Sequence, residues 1–292
     1  MISCRGLSKS FADDGVFDLN LTVNPGESMG LLGPTGAGKS LVMRVLLGQL
    51  RPDSGSAAVF GLDCWKQRRL VMRNLAFAPA APPLEPRSTG EAYLRFVGSY
   101  HGGINPRRAR DLGERLDIVL TGLCARMSPE ARKKLGLLAA LAQDKDAYLL
   151  DEPFAGLGSL ARTALTDILR EAVARGACLL VSSHVLEEVR RSCDQVAIIR
   201  KGRLVVTQPV EALNLTRQKV YHITFSSADE AASFAREWES AVELIGARAL
   251  VAVPSSPQAL LKTLARYTVA DLIGGREESE ESFLRFYGDD VV

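Results

Sequence analysis

Short apolar runs recur along the first two thirds of the chain, with stretches of helical character between them. Four runs are apolar at nearly every position and too short for helices, which is typical of buried strands: residues 28–32, 75–78, 147–150 and 178–182. Looser patterns predict strands at 1–7, 16–23, 56–60, 195–200 and 203–207. Lys201 and Gly202 join the last two as a hairpin turn. With helices between the runs, this order predicts an α/β core.

One internal segment, residues 88–142, looks entirely helical. Residues 88–91 have the spacing of a capping box and start a helix that runs to about residue 100. A proline opens a second helix over 106–120. Ser128 and Pro129 suit the N-cap and first position of a third helix. We therefore expect a helical subdomain inserted into the α/β core.

The pattern changes near Leu213, where a smaller α+β arrangement begins. Its expected strands are 220–225, 242–245, 249–253 and 269–273. Its expected helices are 229–240, 257–267 and 277–286. The sequence thus predicts two domains, residues 1–214 and 215–292.

Composition narrows the class of protein without identifying its chemistry. Hydrophobic residues make up 47% of the 292 residues and charged residues 24%, an ordinary globular mixture. Lys and Arg total 36 against 34 Asp and Glu, so the net charge of +2 does not favour a nucleic acid as partner. No run approaches the roughly 18 apolar residues that cross a bilayer. We expect no transmembrane segment, so any membrane role needs another chain to supply the spans.

The stretch Gly33-Pro34-Thr35-Gly36-Ala37-Gly38-Lys39-Ser40 fits the phosphate-binding loop G-x-x-x-x-G-K-[ST] at every fixed position. A buried strand precedes it and a helix beginning near Leu41 follows. Glycines let backbone N–H groups approach phosphate closely, and the helix N-terminus favours negative charge. Lys39 is expected to reach the outer phosphates and Ser40 to hold Mg²⁺. Residues 33–41 are our predicted nucleotide contacts.

Two adjacent carboxylates, Asp151 and Glu152, end the apolar strand over 147–150. In a phosphate-loop protein, an aspartate at such a strand end lies beside the Mg²⁺ site. Asp151 would then orient the ion, and Glu152 would polarise the attacking water. The alternative is an acidic pair that caps the turn after the strand.

Phe11 and His184 each have two possible roles. Phe11 precedes the phosphate loop and is either a core residue or an aromatic that stacks on a nucleotide base. His184 follows the strand over 178–182, where it is either a structural polar residue or a contact of the γ-phosphate.

Taken together, these stretches resemble the ATP-binding subunit of an ATP-binding cassette (ABC) transporter. The resemblance covers about residues 1–215 and rests on Walker A at 33–40, Walker B at 147–152 and a switch-histidine motif at 182–184. Phe11 falls where the family's base-stacking aromatic lies. Residues 213–292 resemble the C-terminal extension of single-domain exporter ATPases of the drug, polysaccharide and gliding type, and 281–288 resemble their closing helix.

This resemblance implies a P-loop NTPase fold that binds ATP and Mg²⁺ and hydrolyses ATP with Glu152 and His184. It implies two partners: a separate transmembrane permease and a second ATP-binding subunit, which is this chain or a paralogue. It also implies a peripheral position at the cytoplasmic face of a membrane. The proline-rich segment 79–86 falls where family members receive the permease.

Three positions depart from the family pattern. Ala80 stands where the Q-loop has Gln or Glu, and Gly158 stands where the D-loop has Asp. The signature loop reads Met-Ser-Pro-Glu-Ala over 127–131. Pro129 has no N–H to offer a phosphate, and Glu130 brings a carboxylate toward it. These changes predict an asymmetric or low-activity dimer.

Two other functions agree less well with the sequence. A regulatory ATP-binding subunit with little turnover agrees with the three departures, but it would not need Glu152 and His184. A relative acting on DNA or ribosomes would be expected to carry a long coiled-coil insertion or a second cassette, and the sequence has neither.

Overall fold

The computed structural model describes residues 1–11, 14–100, 103–213, 219–238, 242–253 and 257–274. The chain divides into two compact units, Met1–Ala212 and Leu213–Val292. The described residues of the first unit form ten strands: β1 (Ile2–Phe11), β2 (Asp14–Val23), β3 (Ser28–Leu32), β4 (Ser54–Val59), β5 (Leu62–Asp63), β6 (Leu75–Ala78), β7 (Ala147–Asp151), β8 (Cys178–Ser183), β9 (Gln195–Arg200) and β10 (Arg203–Pro209). Its helices are α1 (Lys39–Leu46), α2 (Arg68–Asn74), α3 (Gly90–Tyr100), α4 (Pro106–Arg115), α5 (Pro129–Leu141), α6 (Ser159–Ala174) and α7 (Leu186–Ser192).

A six-stranded sheet in the order β10-β9-β3-β8-β7-β6 forms the centre of the first unit. All neighbours pair in parallel except β9 and β10, which form the predicted antiparallel hairpin. Lys201 and Gly202 both have positive φ, as a type I′ turn requires. Parallel pairing places the carboxyl ends of β3, β7 and β8 at one edge of the sheet. That edge carries the phosphate loop and the residues that follow Walker B.

A second sheet, in the order β2-β1-β4-β5, is antiparallel and packs with α1 over the central sheet. The buried face of α1, including Val42, Met43 and Leu46, joins apolar residues of both sheets in one core. Removal of these side chains from water fixes α1, and therefore the loop at its start, against the sheet.

The segment between β6 and β7 contains α3, α4 and α5, as the helical pattern predicted. Two details differ. The capping residue of α3 is Thr89, whose Oγ1 accepts the Ala92 N–H at 3.2 Å; it is not Ser88, because the Glu91 N–H that a capping box would use donates to the Leu120 carbonyl instead.

The second difference is the end of α4, which stops at Arg115 rather than near residue 120. Asp117 adopts φ +50°, and the Ile118 N–H donates to the Gly113 carbonyl at 3.1 Å, which is a Schellman ending. The start of α5 is as predicted: Ser128 Oγ accepts the Ala131 N–H at 3.1 Å.

The second unit contains β11 (Lys219–Phe225), α8 (Ala228–Glu237), β12 (Val242–Ile245), β13 (Arg248–Val253), α9 (Gln258–Leu264) and β14 (Val269–Gly274). Its antiparallel sheet has the order β12-β13-β11-β14, which with the βαββαβ element sequence is the ferredoxin-like arrangement. Ile223, Phe225 and Phe234 lie in its own apolar core. The expected helix over 277–286 lies outside the described residues.

Candidate active site

The phosphate loop connects β3 to α1, and its tight course depends on glycine. A Cβ on Gly33 would lie 2.3 Å from the Ile199 carbonyl oxygen, so no larger residue fits there. Gly38 has φ +102°, and a Cβ there would lie 2.8 Å from Val16. Gly38 is the N-cap of α1 and offers no side chain to the helix N–H groups. A helix start of this kind suits an anion.

Lys39 is buried within the loop that it follows. Its side chain is only 7% exposed, and its Nζ donates to the Gly33 carbonyl at 2.6 Å and the Pro34 carbonyl at 3.2 Å. The same Nζ lies 3.3 Å from Glu152 Oε1. The structure thus brings the loop cation and the second Walker B carboxylate into direct contact.

Both oxygens of the Asp151 carboxylate are held by hydroxyl groups. Ser40 Oγ donates to Oδ2 at 2.9 Å, and Ser182 Oγ donates to Oδ1 at 2.5 Å. This link follows from the sheet register, in which Asp151 pairs with Ser182. The Asp151 carboxylate is therefore held by side-chain hydroxyl groups. The alternative interpretation, in which the acidic pair caps the turn after the strand, does not describe Asp151.

Glu152 stands at the centre of the site in a strained backbone conformation. Its φ of +46° is in the left-handed region, which costs a non-glycine residue about 1–3 kcal/mol. The Glu152 N–H donates to Ser182 Oγ at 2.8 Å, and Oε2 lies 2.9 Å from His184 Nδ1. The carboxylate is thereby fixed between Lys39 and His184.

The oxygen atoms around Ser40 and Asp151 suit a Mg²⁺ ion that completes its shell with phosphate and water. Mg²⁺ is commonly bound through one or two protein oxygens together with substrate phosphates. Within the described ranges, no three His, Cys, Asp or Glu side chains cluster closely enough to hold a metal by themselves. The donor set therefore fits an ion that arrives with a nucleotide.

Phe11 is 49% exposed, so the core interpretation of this residue is wrong. The Lys9 ammonium lies 5.2 Å from the centre of its ring. Base stacking stays a prediction for Phe11.

Two of the three departures from the family pattern, Glu130 and Gly158, contact each other. Glu130 Oε1 accepts the Gly158 N–H at 3.2 Å and lies 3.3 Å from Lys134 Nζ. The Gly158 N–H and Lys134 lower the pKa of the Glu130 carboxyl, so this group is ionised at neutral pH. A negative charge therefore lies at the start of α5, tied to the loop that follows Walker B.

Sequence reasoning missed three polar residues that support the site. Ser182 orients Asp151 and Glu152, and Glu188 accepts from Ser183 Oγ at 2.7 Å beside His184. Lys133 on α5 donates to backbone carbonyls of Ala80, just after β6, and of Asp151, at the end of β7. A serine that ends an apolar strand was the available signal for Ser182. Glu188 and Lys133 lie in helical stretches that contain several charged residues, so the sequence does not single them out.

Comparison with known proteins places the chain among transport ATPases. The family model described as ABC transporter matches residues 16–155. The Nod factor export ATP-binding protein I of Sinorhizobium fredii is 32% identical over 300 residues, which cover 98% of this chain and 86% of that protein. The protein of the same name from Rhizobium sp. strain N33 is 30% identical, with 98% and 97% covered. The chain belongs to the ABC transporter family.

Solved structures agree with this assignment. An ATP-binding subunit of an ABC transporter matches with a TM-score of 0.69 and 28% identity, over 73% of this chain and 91% of that one. The dimeric cassette MJ0796, in a post-hydrolysis state with ADP and Pi, has a TM-score of 0.64 at 16% identity, over 72% and 99% of the two chains, and so supports the fold.

The ABC protein described here is an ATP-binding subunit and an ATPase of the kind that drives a separate permease. Subunits of this family bind ATP, form dimers and pair with a transmembrane partner. Across the described ranges, the structure has no helix that combines the length and the apolar character needed to cross a membrane.

Proposed function

We propose that this subunit binds MgATP at the Lys39 site and hydrolyses it to drive export through a separate permease. The observation that carries the proposal is the Glu152 carboxylate, which contacts Lys39 on one side and His184 on the other. A subunit that only bound nucleotide would not need a carboxylate held in a strained conformation at this point. Export is the direction stated in the names of the relatives.

The proposed binding residues are 33–41, with Phe11 stacking on the base. Lys39 would exchange its contacts with the loop carbonyls for contacts with the outer phosphates, since both are oxygen acceptors. Ser40 and Asp151 would hold Mg²⁺, and Ser182 would keep the Asp151 carboxylate in place. The bound ion supplies positive charge that offsets the negative charge developing on the phosphates.

Glu152 and His184 are the proposed catalytic residues. Glu152 would orient and polarise the water that attacks the terminal phosphate, and a proton of that water would pass to the Glu152 carboxylate. His184 would contact the terminal phosphate. The 2.9 Å contact between Glu152 Oε2 and His184 Nδ1 supports a shared role, because each side chain limits the rotation of the other.

For the second ATP-binding subunit, we infer a paralogue with an intact signature. Pro129 lacks the N–H that such a loop offers, and ionised Glu130 would repel phosphate across a homodimer interface. The contact of Glu130 with Gly158 keeps this charge at the start of α5. In an asymmetric pair, the Lys39 site would receive its signature residues from the other chain.

The permease is proposed to dock beside the segment 79–86, whose residues Ala80, Ala81, Pro83, Glu85 and Pro86 are exposed. A groove of about 1220 Å³ lies between α2 and α3, lined by exposed Trp65, Phe96 and Tyr100 with four cationic neighbours on 66–73. This combination suits an amphipathic segment with aromatic and acidic side chains.

Retention of ATP by a Glu152→Gln variant tests the proposal. The assembled transporter is given ATP labelled at the γ-phosphate and then separated from free nucleotide. We expect Glu152→Gln to retain uncleaved ATP and Lys39→Ala to retain none, while wild type releases labelled phosphate. A regulatory subunit, the second candidate, would instead show the same retention in wild type and Glu152→Gln.

A further inference from the structure

Lys133 is a buried lysine that belongs to no ion pair among the described residues. It lies on α5, its exposed fraction is 6%, and no carboxylate oxygen in the described ranges comes within 4 Å of Nζ. Burial lowers the pKa of Lys133 to about 8, although Asp151, Glu152 and Glu188 act in the opposite direction. A methionine would fill a similar volume without this desolvation cost. The ammonium therefore has a role beyond packing.

All three hydrogen bonds of Lys133 go to backbone carbonyls at the edge of the sheet that carries the site. Nζ donates to the Ala80 carbonyl at 2.9 Å, the Asp151 carbonyl at 3.1 Å and the Pro79 carbonyl at 3.4 Å. Pro79 and Ala80 follow β6, and Asp151 ends β7. One ammonium thus joins α5 to two neighbouring strands at once.

The carbonyls that accept from Lys133 lie where the pairing between β6 and β7 ends. The parallel ladder between β6 and β7 ends with the pair Ala78 and Leu150. Beyond that pair, the two strands have no ladder hydrogen bonds to each other. Lys133 connects them there, through the carbonyls of residues 79, 80 and 151. Glu152 comes immediately after and turns into the left-handed conformation. Ala80 has no polar side-chain atom, so in this chain the connection at that position falls to its carbonyl and to Lys133.

We propose that Lys133 is a positioning residue that holds Asp151 and Glu152 in register with α5 and with the segment after β6. A displacement of α5, which begins at the altered signature, or of residues 79–80 is transmitted to the two carboxylates through this ammonium. The inference rests on the proposed function only for the roles of Asp151 in Mg²⁺ binding and of Glu152 in ATP hydrolysis.

The test compares three variants of the full chain. Lys133→Met removes the donors at similar volume, and Lys133→Arg keeps a charged donor. Lys134→Met is the matched control, because it also removes a lysine from α5, but one whose ammonium contacts Glu130. If Lys133→Met does not fold, Lys133→Gln replaces it and is judged by the same criteria.

The first readout is amide hydrogen exchange without nucleotide, in peptides that cover 149–156 and 75–84. We expect Lys133→Met to raise exchange about tenfold at Glu152, the size typical of losing hydrogen bonds from a charged donor. Lys133→Arg should recover most of the protection, and Lys134→Met should match wild type. Unchanged exchange, or a rise spread equally over both units of the chain, would overturn the proposal, since the second pattern indicates only global destabilisation.

The second readout is ATP affinity with and without Mg²⁺. Lys133→Met should weaken binding about tenfold with Mg²⁺ and leave binding in EDTA within about twofold, since the phosphate loop is intact. Equal weakening in both conditions would contradict a role through Asp151. If even wild type bound no ATP, the proposed function would fail, whereas the exchange measurement would still decide the role of Lys133.

Discussion

Replacing Ser182 with alanine removes one hydroxyl that contacts the Asp151 carboxylate and the Glu152 backbone. Ser182 Oγ donates to Asp151 Oδ1 at 2.5 Å and accepts the Glu152 N–H at 2.8 Å, and the serine is fully buried. A hydrogen bond to a charged group contributes about 1.5–3 kcal/mol. If that energy orients the carboxylates for hydrolysis, its loss corresponds to a decrease in kcat of about 10- to 100-fold.

Ser28→Ala is a closely matched control. Ser28 is also buried in the central sheet, donates to Asp194 Oδ2 at 2.7 Å and accepts the Asp194 N–H at 3.0 Å. It lies at the start of β3, at the edge of the sheet opposite the site. Both variants should lose a similar free energy of unfolding in urea, whereas only Ser182→Ala should lose kcat. Equal kcat values for Ser182→Ala and wild type would refute the proposed orienting role.

Three further predictions concern the loop, the signature and a buried charge. Gly33→Ala should abolish ATP binding measured by equilibrium titration, because its Cβ would lie 2.3 Å from the Ile199 carbonyl; binding at wild-type affinity would contradict the loop geometry. The double variant Pro129→Gly with Glu130→Gly should raise the ATPase rate of the chain alone at least severalfold, because it restores an N–H and removes a negative charge. An unchanged rate would show that the altered signature is not the cause of the low activity. Between pH 8 and 10.5, the free energy of unfolding of wild type should rise relative to Lys133→Met by up to about 3 kcal/mol. Through this pH window the lysine binds a proton in the unfolded chain and not in the folded chain. If the difference in free energy of unfolding between the two proteins stayed flat or fell with pH in urea titrations, the lowered pKa of Lys133 would be contradicted.

The parts of the site that were predicted from sequence are those fixed by local chemistry. The phosphate loop is recognisable because its glycines must allow close backbone approach, and Ser128 with Pro129 marks a helix start through contacts within four residues. Asp151 and Glu152 were identified because a strand end after a phosphate loop has few other uses for two carboxylates.

The residues that sequence reasoning missed depend on register and packing. Ser182 reaches Asp151 across 31 positions only because β7 and β8 pair in one register. Lys133 reaches Ala80 across 53 positions because α5 packs behind β6. The misassigned cap of α3 has the same origin, because the Glu91 N–H donates to the Leu120 carbonyl and not to the Ser88 side chain. Local spacing cannot reveal such long-range competition.

The most direct test of the account is the ATP hydrolysis rate of the purified chain, alone and assembled with the permease and the second ATP-binding subunit, beside Glu152→Gln. We predict a low rate for the chain alone, a clear rise in the assembled transporter and loss of that rise in Glu152→Gln. Hydrolysis at the same rate in wild type and Glu152→Gln would contradict the assignment of Glu152. ATP binding without turnover in every setting would show that the subunit regulates rather than drives transport.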